Sequence, residues 1–185
     1  MKNRISMLLG LLVCFMLFVG ENISYAYTLD DIKRDYPKVK IEKETTQNDA
    51  GKTDTYRKMR LMKLPTDNSG LKLEFWLYEK NNYLKYVNVY ATWYGDYWCF
   101  WNRITVGDGT NSYDIYPDWK PVREVDGRHV CEQLLFSIHD INKFNLWNNA
   151  IQIRIKGDEY YNTFYMPAVN AYKADMNIIK RFLFE

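Results

Sequence analysis

LKLEFWLY, from Leu71 to Tyr78, and YLKYVNVYATWY, from Tyr83 to Tyr94, decide the fold class of this chain of 185 residues. In the first, Leu71, Leu73, Phe75 and Leu77 alternate with Lys72, Glu74, Trp76 and Tyr78. In the second, Val87, Val89, Ala91 and Trp93 alternate with Tyr86, Asn88, Tyr90 and Tyr94. Side chains of a strand point to opposite faces in turn, so a period of two sends one set to a core and the other outward. Glu79-Lys80-Asn81-Asn82 between them turns the chain.

Downstream, Gly95-Asp96 predicts a tight hairpin into a strand from Trp98 to Val106, and Asp108-Gly109 a turn into Ser112 to Tyr116. Pro117 and Pro121 suggest an edge or an irregular crossing. Asp126-Gly127 precedes a strand from His129 to Ile138. Asp140 caps a short helix to about Asn148, with Ile141 and Phe144 facing inward. Ile151, Ile153 and Ile155 form a strand, Gly157-Asp158 a turn, and Glu159 to Met166 the returning strand. Pro167 suits a first helical position, and Val169, Tyr172, Met176, Ile179 and Leu183 make one apolar stripe on a closing helix.

Upstream, Thr28 caps a helix to Tyr36, with Asp30 and Asp31 complementing its dipole, and Pro37 ends it. Lys38 to Thr46 and Tyr56 to Leu64 read as two strands about a turn at residues 47–52. About eight strands, joined mainly by hairpins, with three short helical pieces, predict a mainly β fold. The expectation is an antiparallel β-sandwich or half-barrel that includes a C-terminal amphipathic helix. A parallel α/β sheet would need a helix between successive strands, and the sequence has none there.

Residues 1–26 carry a different signal. Lys2 and Arg4 precede an uncharged run from Ile5 to Gly20, and Ser24-Tyr25-Ala26 offers small residues where a signal peptidase reads. This predicts a secretory signal peptide cleaved before Tyr27. The run is too short for a spanning helix, and Cys14 behind Val13 suits no lipid attachment. Residues 27–185 then form a single β-rich domain outside the cytoplasm, with no stable membrane insertion after cleavage. Such a domain buries roughly 70% of the surface its unfolded chain exposes, so folding demands no metal. A formal charge of +2, dispersed along the chain, argues against a nucleic-acid partner.

Catalytic chemistry is hard to find. There are two histidines and no G-x-S-x-G elbow. His129 and Cys131 share a strand face, but a nucleophile and its base usually converge from separate elements. With Cys99 they lack the spacing of a metal site. Asp108, Thr110, Ser112 and Asp114 only faintly resemble a calcium loop, and a plain hairpin turn explains them better. No cofactor is implied. Cys99 and Cys131 form a candidate disulfide in an oxidising compartment, against two buried free thiols. Glu132 and Arg154 each interrupt an apolar strand, which makes them a candidate structural ion pair.

The aromatic content is unusual: 16 Tyr, 9 Phe and 6 Trp. Trp76 and Tyr78 on one strand, and Tyr86, Tyr90 and Tyr94 on the next, fall opposite the aliphatic faces. If that face is open it is a row of rings that stacks on a glycan or on apolar peptide side chains; if covered, it is a second small core.

Trp98-Cys99-Phe100-Trp101, Asp108-Gly109, Val130-Cys131-Glu132 and the run from Arg154 to Tyr161 occur in an order that resembles small exported bacterial β-rich proteins of unknown function. The likeness spans residues 83–184. It implies a periplasmic or secreted β-rich domain and brings no activity with it. The expected function is a non-catalytic binding or envelope-associated module with an aromatic-rich face. The alternatives are a small secreted hydrolase acting on glycan or peptide, and a structural subunit of an envelope assembly.

Overall fold

The computed structural model describes residues 26–47, 51–66, 69–158, 160–164, 166 and 169–185. All but the last residue of the expected signal peptide, and the expected helix-starting Pro167, lie outside them. Among the described residues, ten strands and three helices follow in the order α1 (Leu29–Asp35), β1 (Ile41–Gln47), β2 (Thr53–Leu64), β3 (Leu71–Lys80), β4 (Leu84–Gly95), β5 (Arg103–Gly107), β6 (Ser112–Ile115), β7 (Val122–Asp126), β8 (His129–Ile138), α2 (Ile141–Asn148), β9 (Gln152–Lys156), β10 (Tyr161–Phe164) and α3 (Val169–Phe184). The fold is mainly β and antiparallel throughout. A curled half-barrel sheet has the order β1-β2-β3-β4-β8-β7, and a second sheet the order β10-β9-β5-β6.

The expected core faces of β3 and β4 are buried, although Tyr78 and Asn88 on the opposite face are buried as well. Phe75 pairs with Val89 and Leu77 with Val87, while β8 adds Phe136 opposite Val89 and Ile138 opposite Val87. All are buried. Each such side chain, removed from water, contributes about 1.5–3 kcal/mol. In β2 the register slips between Arg60 and Met62. That bulge lets Met59 and Met62, three residues apart, both reach the core. The second sheet closes the same core with Ile104, Val106, Ile153, Ile155 and Phe164.

Local signals fix the helices. Thr28 Oγ1 accepts from Asp31 N (3.3 Å), and the Asp31 carboxylate accepts from Thr28 N (3.0 Å), a reciprocal cap on α1. Asp140 accepts from the amides of Asn142 and Lys143, both at 2.9 Å, to start α2. Tyr172, Met176 and Ile179 of α3 are buried. Glu79, expected in a turn, instead belongs to β3 with its carboxylate buried. It accepts from Leu29 N (3.0 Å) and faces Arg57 Nη1 (3.2 Å), which ties α1 to the sheet.

Two expectations need correction. Gly95-Asp96 does not close a hairpin: β4 pairs with β8, and the chain leaves the large sheet to form β5 in the other. Residues 97–101 are consequently a loop, not the start of a strand. Ile141 is exposed, and Trp147, three residues beyond Phe144, takes the inward position on α2. The edge expected around Pro117 and Pro121 is present: the stretch after Pro121 is the edge strand β7, whose paired residues begin just past the proline.

Asp175 on α3 carries a testable cost. Burial holds its carboxyl above the ordinary carboxylate range. A folded-state pKa above the unfolded one favours folding while the group is protonated, and that advantage is lost as pH rises through the raised value. Asp175→Asn is therefore expected to raise the melting temperature at neutral pH and to leave it unchanged under acid conditions. Thermal unfolding at the two pH values checks this.

Candidate functional site

The expected row of rings lies on the face of the large sheet opposite the core, but its members differ in fate. Register sets Tyr78 between Lys58 and Tyr86, and Trp76 opposite Asn88. Tyr78 stacks on Tyr86 with centroids 5.0 Å apart, and Tyr56 meets Tyr86 edge-on at 6.0 Å. The curl of the sheet thus covers these rings with one another, and Tyr78 is only 4% exposed. Burial, then the Tyr90 hydroxyl 3.0 Å away, pushes the Tyr78 phenol well above its usual pKa. Tyr94 stands apart, its ring 5.0 Å from that of His129 and its hydroxyl donating to Asp126 (3.2 Å).

Trp76 and Tyr90 remain available, lining a groove of about 290 Å³ with Glu44, Lys58, Glu74, Tyr78, Thr92 and Gln133. Three of its walls, Tyr90, Thr92 and Gln133, belong to neutral hydrogen bonds on the same sheet face. Asn88 Nδ2 donates to the Tyr90 hydroxyl (3.2 Å), Ser137 Oγ to Asn88 Oδ1 (2.9 Å) and Gln133 Nε2 to Thr92 Oγ1 (3.3 Å). Its charges are matched, Lys58 with Glu44 at 2.6 Å and Arg60 with Glu74 at 2.8 Å. Both cations lie near the Trp76 ring, at 5.1 and 5.9 Å from its centroid. Beyond Trp76 the surface opens into a hollow of about 580 Å³ bordered by Lys38, Lys40, Arg60 and Lys63.

A second constellation had only a partial sequence signal. Glu132, 1% exposed, faces inward from β8. Its Oε1 accepts from the amides of Cys99 and of Phe100 (2.9 Å for the latter), and its Oε2 meets Arg123 Nε at 3.1 Å. Arg123 also donates to Trp101 O (3.2 Å) and lies 5.5 Å from the Phe100 ring. These bonds hold Phe100 at φ 51°, a left-handed conformation uncommon outside glycine. Gly157 abuts the same loop: a Cβ there would stand 2.8 Å from Cys99 O and 2.9 Å from Phe100 O. The expected Glu132–Arg154 pair is thus corrected to Glu132–Arg123. Arg154 belongs to the other sheet, on the face away from the core, with its guanidinium 5.2 Å from the Tyr161 centroid.

Cys99 and Cys131 are free thiols, which corrects the candidate disulfide. Cys131 alternates with the buried residues of β8, so it faces away from Glu132, whereas the Cys99 backbone is bonded to Glu132 on the core side. Burial, then the Glu132 charge, pushes the Cys99 thiol up to about 12, and burial also raises Cys131. Neither is a thiolate at neutral pH. His129 Nδ1 lies 2.7 Å from Asp96 Oδ1. Both border a hollow of about 480 Å³ with Tyr94 and Tyr97, of which Cys131 is not a wall. Asp108 accepts from the amides of Thr110 (2.8 Å) and Asn111 (2.7 Å), closing the β5–β6 turn. The Asn111 amide, then that of Thr110, holds the Asp108 carboxyl below its usual range. Among the described residues, no three His, Cys, Asp or Glu side chains converge on one point. No helix among them is long and apolar enough to cross a membrane.

Comparison with protein-family models, with curated proteins and with solved structures finds no match.

Proposed function

We propose that this protein is an exported, non-catalytic binding module that captures a glycan in the groove beside Trp76. Export rests on the residues 1–26 read above. One observation carries the binding reading: a half-buried indole lines the groove together with the hydroxyls of Tyr90 and Thr92 and the amide of Gln133, which hydrogen bonds already order. A sugar presents an apolar ring face and a rim of hydroxyls, which match a ring and the polar groups around it. An apolar peptide side chain would use the ring but none of the polar groups around it. In the groove, Glu44 and Glu74 are both held by cations, an arrangement suited to holding a ligand rather than to moving protons.

The test is capture of soluble oligosaccharides (chitohexaose, cellohexaose, maltohexaose) by the mature chain, measured calorimetrically. Trp76→Ala is expected to weaken binding of the captured sugar by about tenfold or more, the loss typical of an aromatic hot spot. Its melting temperature should stay near that of the parent. Equal affinity in the variant, or no binding by the parent to any of the three, would count against the reading.

A further inference from the structure

Among the described residues, the outer face of the four-stranded sheet carries more positive than negative charge. Register places Arg103 opposite Lys156, and Arg154 opposite Thr105 and Thr163. Paired residues share a face, so these three cations stand together on the side away from Ile104 and Ile155. Like charges on facing positions destabilise a sheet. Asp114, 3.2 Å from Arg103 Nε, is the acid that meets them. Arg154 Nε is buried and has no hydrogen-bond acceptor among the described residues. The Arg154 guanidinium lies against the ring of Tyr161, a residue 62% exposed.

Tyr161 also walls a hollow of about 480 Å³ between the 97–101 loop and β10, with Tyr97, Trp98, Trp101, Tyr160 and Asn162. That volume is in the range of small-molecule sites. Its shape is set in advance, because the Glu132 carboxylate and the close approach of Gly157 fix the loop. Trp101 is 1% exposed, and its indole Nε1 has no acceptor among the described residues. A box of rings suits a cation in isolation. Here Arg154 already occupies the outer side of Tyr161, and the nearby carboxylate of Asp158 is engaged by Asn102 Nδ2 at 2.8 Å.

We infer that this hollow is a second site, distinct from the Trp76 groove, which binds a small organic acid. The aromatic or aliphatic body of the ligand lies among Tyr97, Trp98, Trp101 and Tyr160. Its carboxylate reaches past Tyr161 to Arg154 and Lys156, adding negative charge to a face where, among the described residues, three cations meet Asp114. A carboxylate gains from a guanidinium a charge-assisted hydrogen bond that a neutral amide cannot.

Titration of the mature chain with 4-phenylbutyrate, 4-phenylbutyramide and 4-phenylbutylamine, followed by tryptophan fluorescence, tests this. The acid is expected to bind saturably, the amide about tenfold more weakly, and the amine not at all. Arg154→Gln should bring the affinity for the acid down to that for the amide, and Tyr161→Ala should weaken both. Trp76→Ala should change neither. Equal binding of acid and amide, binding of the amine as tight as that of the acid, no saturable response to the acid, or a loss on Trp76→Ala would each overturn the inference. The comparison of acid with amide uses the parent protein, so it holds even if a variant misfolds.

Discussion

Replacing Glu132 by alanine is expected to lower the unfolding free energy by about 3 kcal/mol and to release the 97–101 loop. The carboxylate is fully buried, accepts two backbone amides and pairs with Arg123. Removing it leaves two inward-facing N–H groups without acceptors and one guanidinium without its counter-ion. Arg123 is 34% exposed at its side chain, so water recovers part of that loss. For this reason the figure sits at the low end for a broken buried pair, about 3–5 kcal/mol. Glu132 is the acceptor of the Phe100 amide and the partner that orients Arg123, so near-ultraviolet dichroism from Trp98 and Trp101 should fall in the variant. Glu132→Gln keeps an acceptor for the amides and loses the charge, and should fall between the two. Urea unfolding with both spectroscopic readouts checks the order. A Glu132→Ala variant as stable as the parent would mean that the carboxylate does not hold this loop.

Trp147→Ala is expected to cost about 4 kcal/mol, toward the upper part of the range for deleting a large buried aromatic side chain. Trp147 projects from α2 onto the large sheet, edge-on to Phe75 at 5.4 Å and to Phe136 at 6.1 Å. Those rings belong to β3 and β8, on either side of β4, so one indole spans three strands. Its backbone carbonyl accepts from the buried Tyr172 hydroxyl at 2.8 Å, which couples α2 to α3. Truncation opens a cavity beneath a short helix whose other buried anchor is Phe144. Trp147→Phe fills most of the volume and should cost about half as much. Equilibrium unfolding of both variants gives the comparison; a Phe variant no better than Ala would mean that ring geometry, not volume, decides the site.

The parts of the fold that were legible in the sequence follow from local rules. Alternation in β3, β4 and β8 requires only that one face be dry, and the caps at Thr28 and Asp140 depend on neighbours two or three residues away. Pairing between distant segments has no such local mark. Gly95-Asp96 carries the composition of a hairpin, yet Trp93 Nε1 donates to Tyr97 O (2.8 Å) and Glu132 captures the next amides, drawing the chain across to the other sheet. The same long-range geometry decided the ion pair. An acid in an apolar strand marked Glu132 as needing a partner, but nothing within the sequence distinguished Arg154 from Arg123, which lies on the neighbouring edge strand. The ring face was visible as a pattern. That Tyr78 and Tyr86 cover each other while Trp76 borders a groove depends on how the sheet curls, which no single strand encodes.

The reading of the Trp76 groove as the ligand surface meets its most direct test in the indole N–H resonances. Six tryptophans give six reporters, followed by ¹H–¹⁵N correlation spectra while the captured oligosaccharide is added to the mature chain. The Trp76 resonance is expected to move with ligand to saturation, while those of the core residues Trp101 and Trp147 stay in place. A Trp76 signal that remains fixed as the others shift would contradict the account.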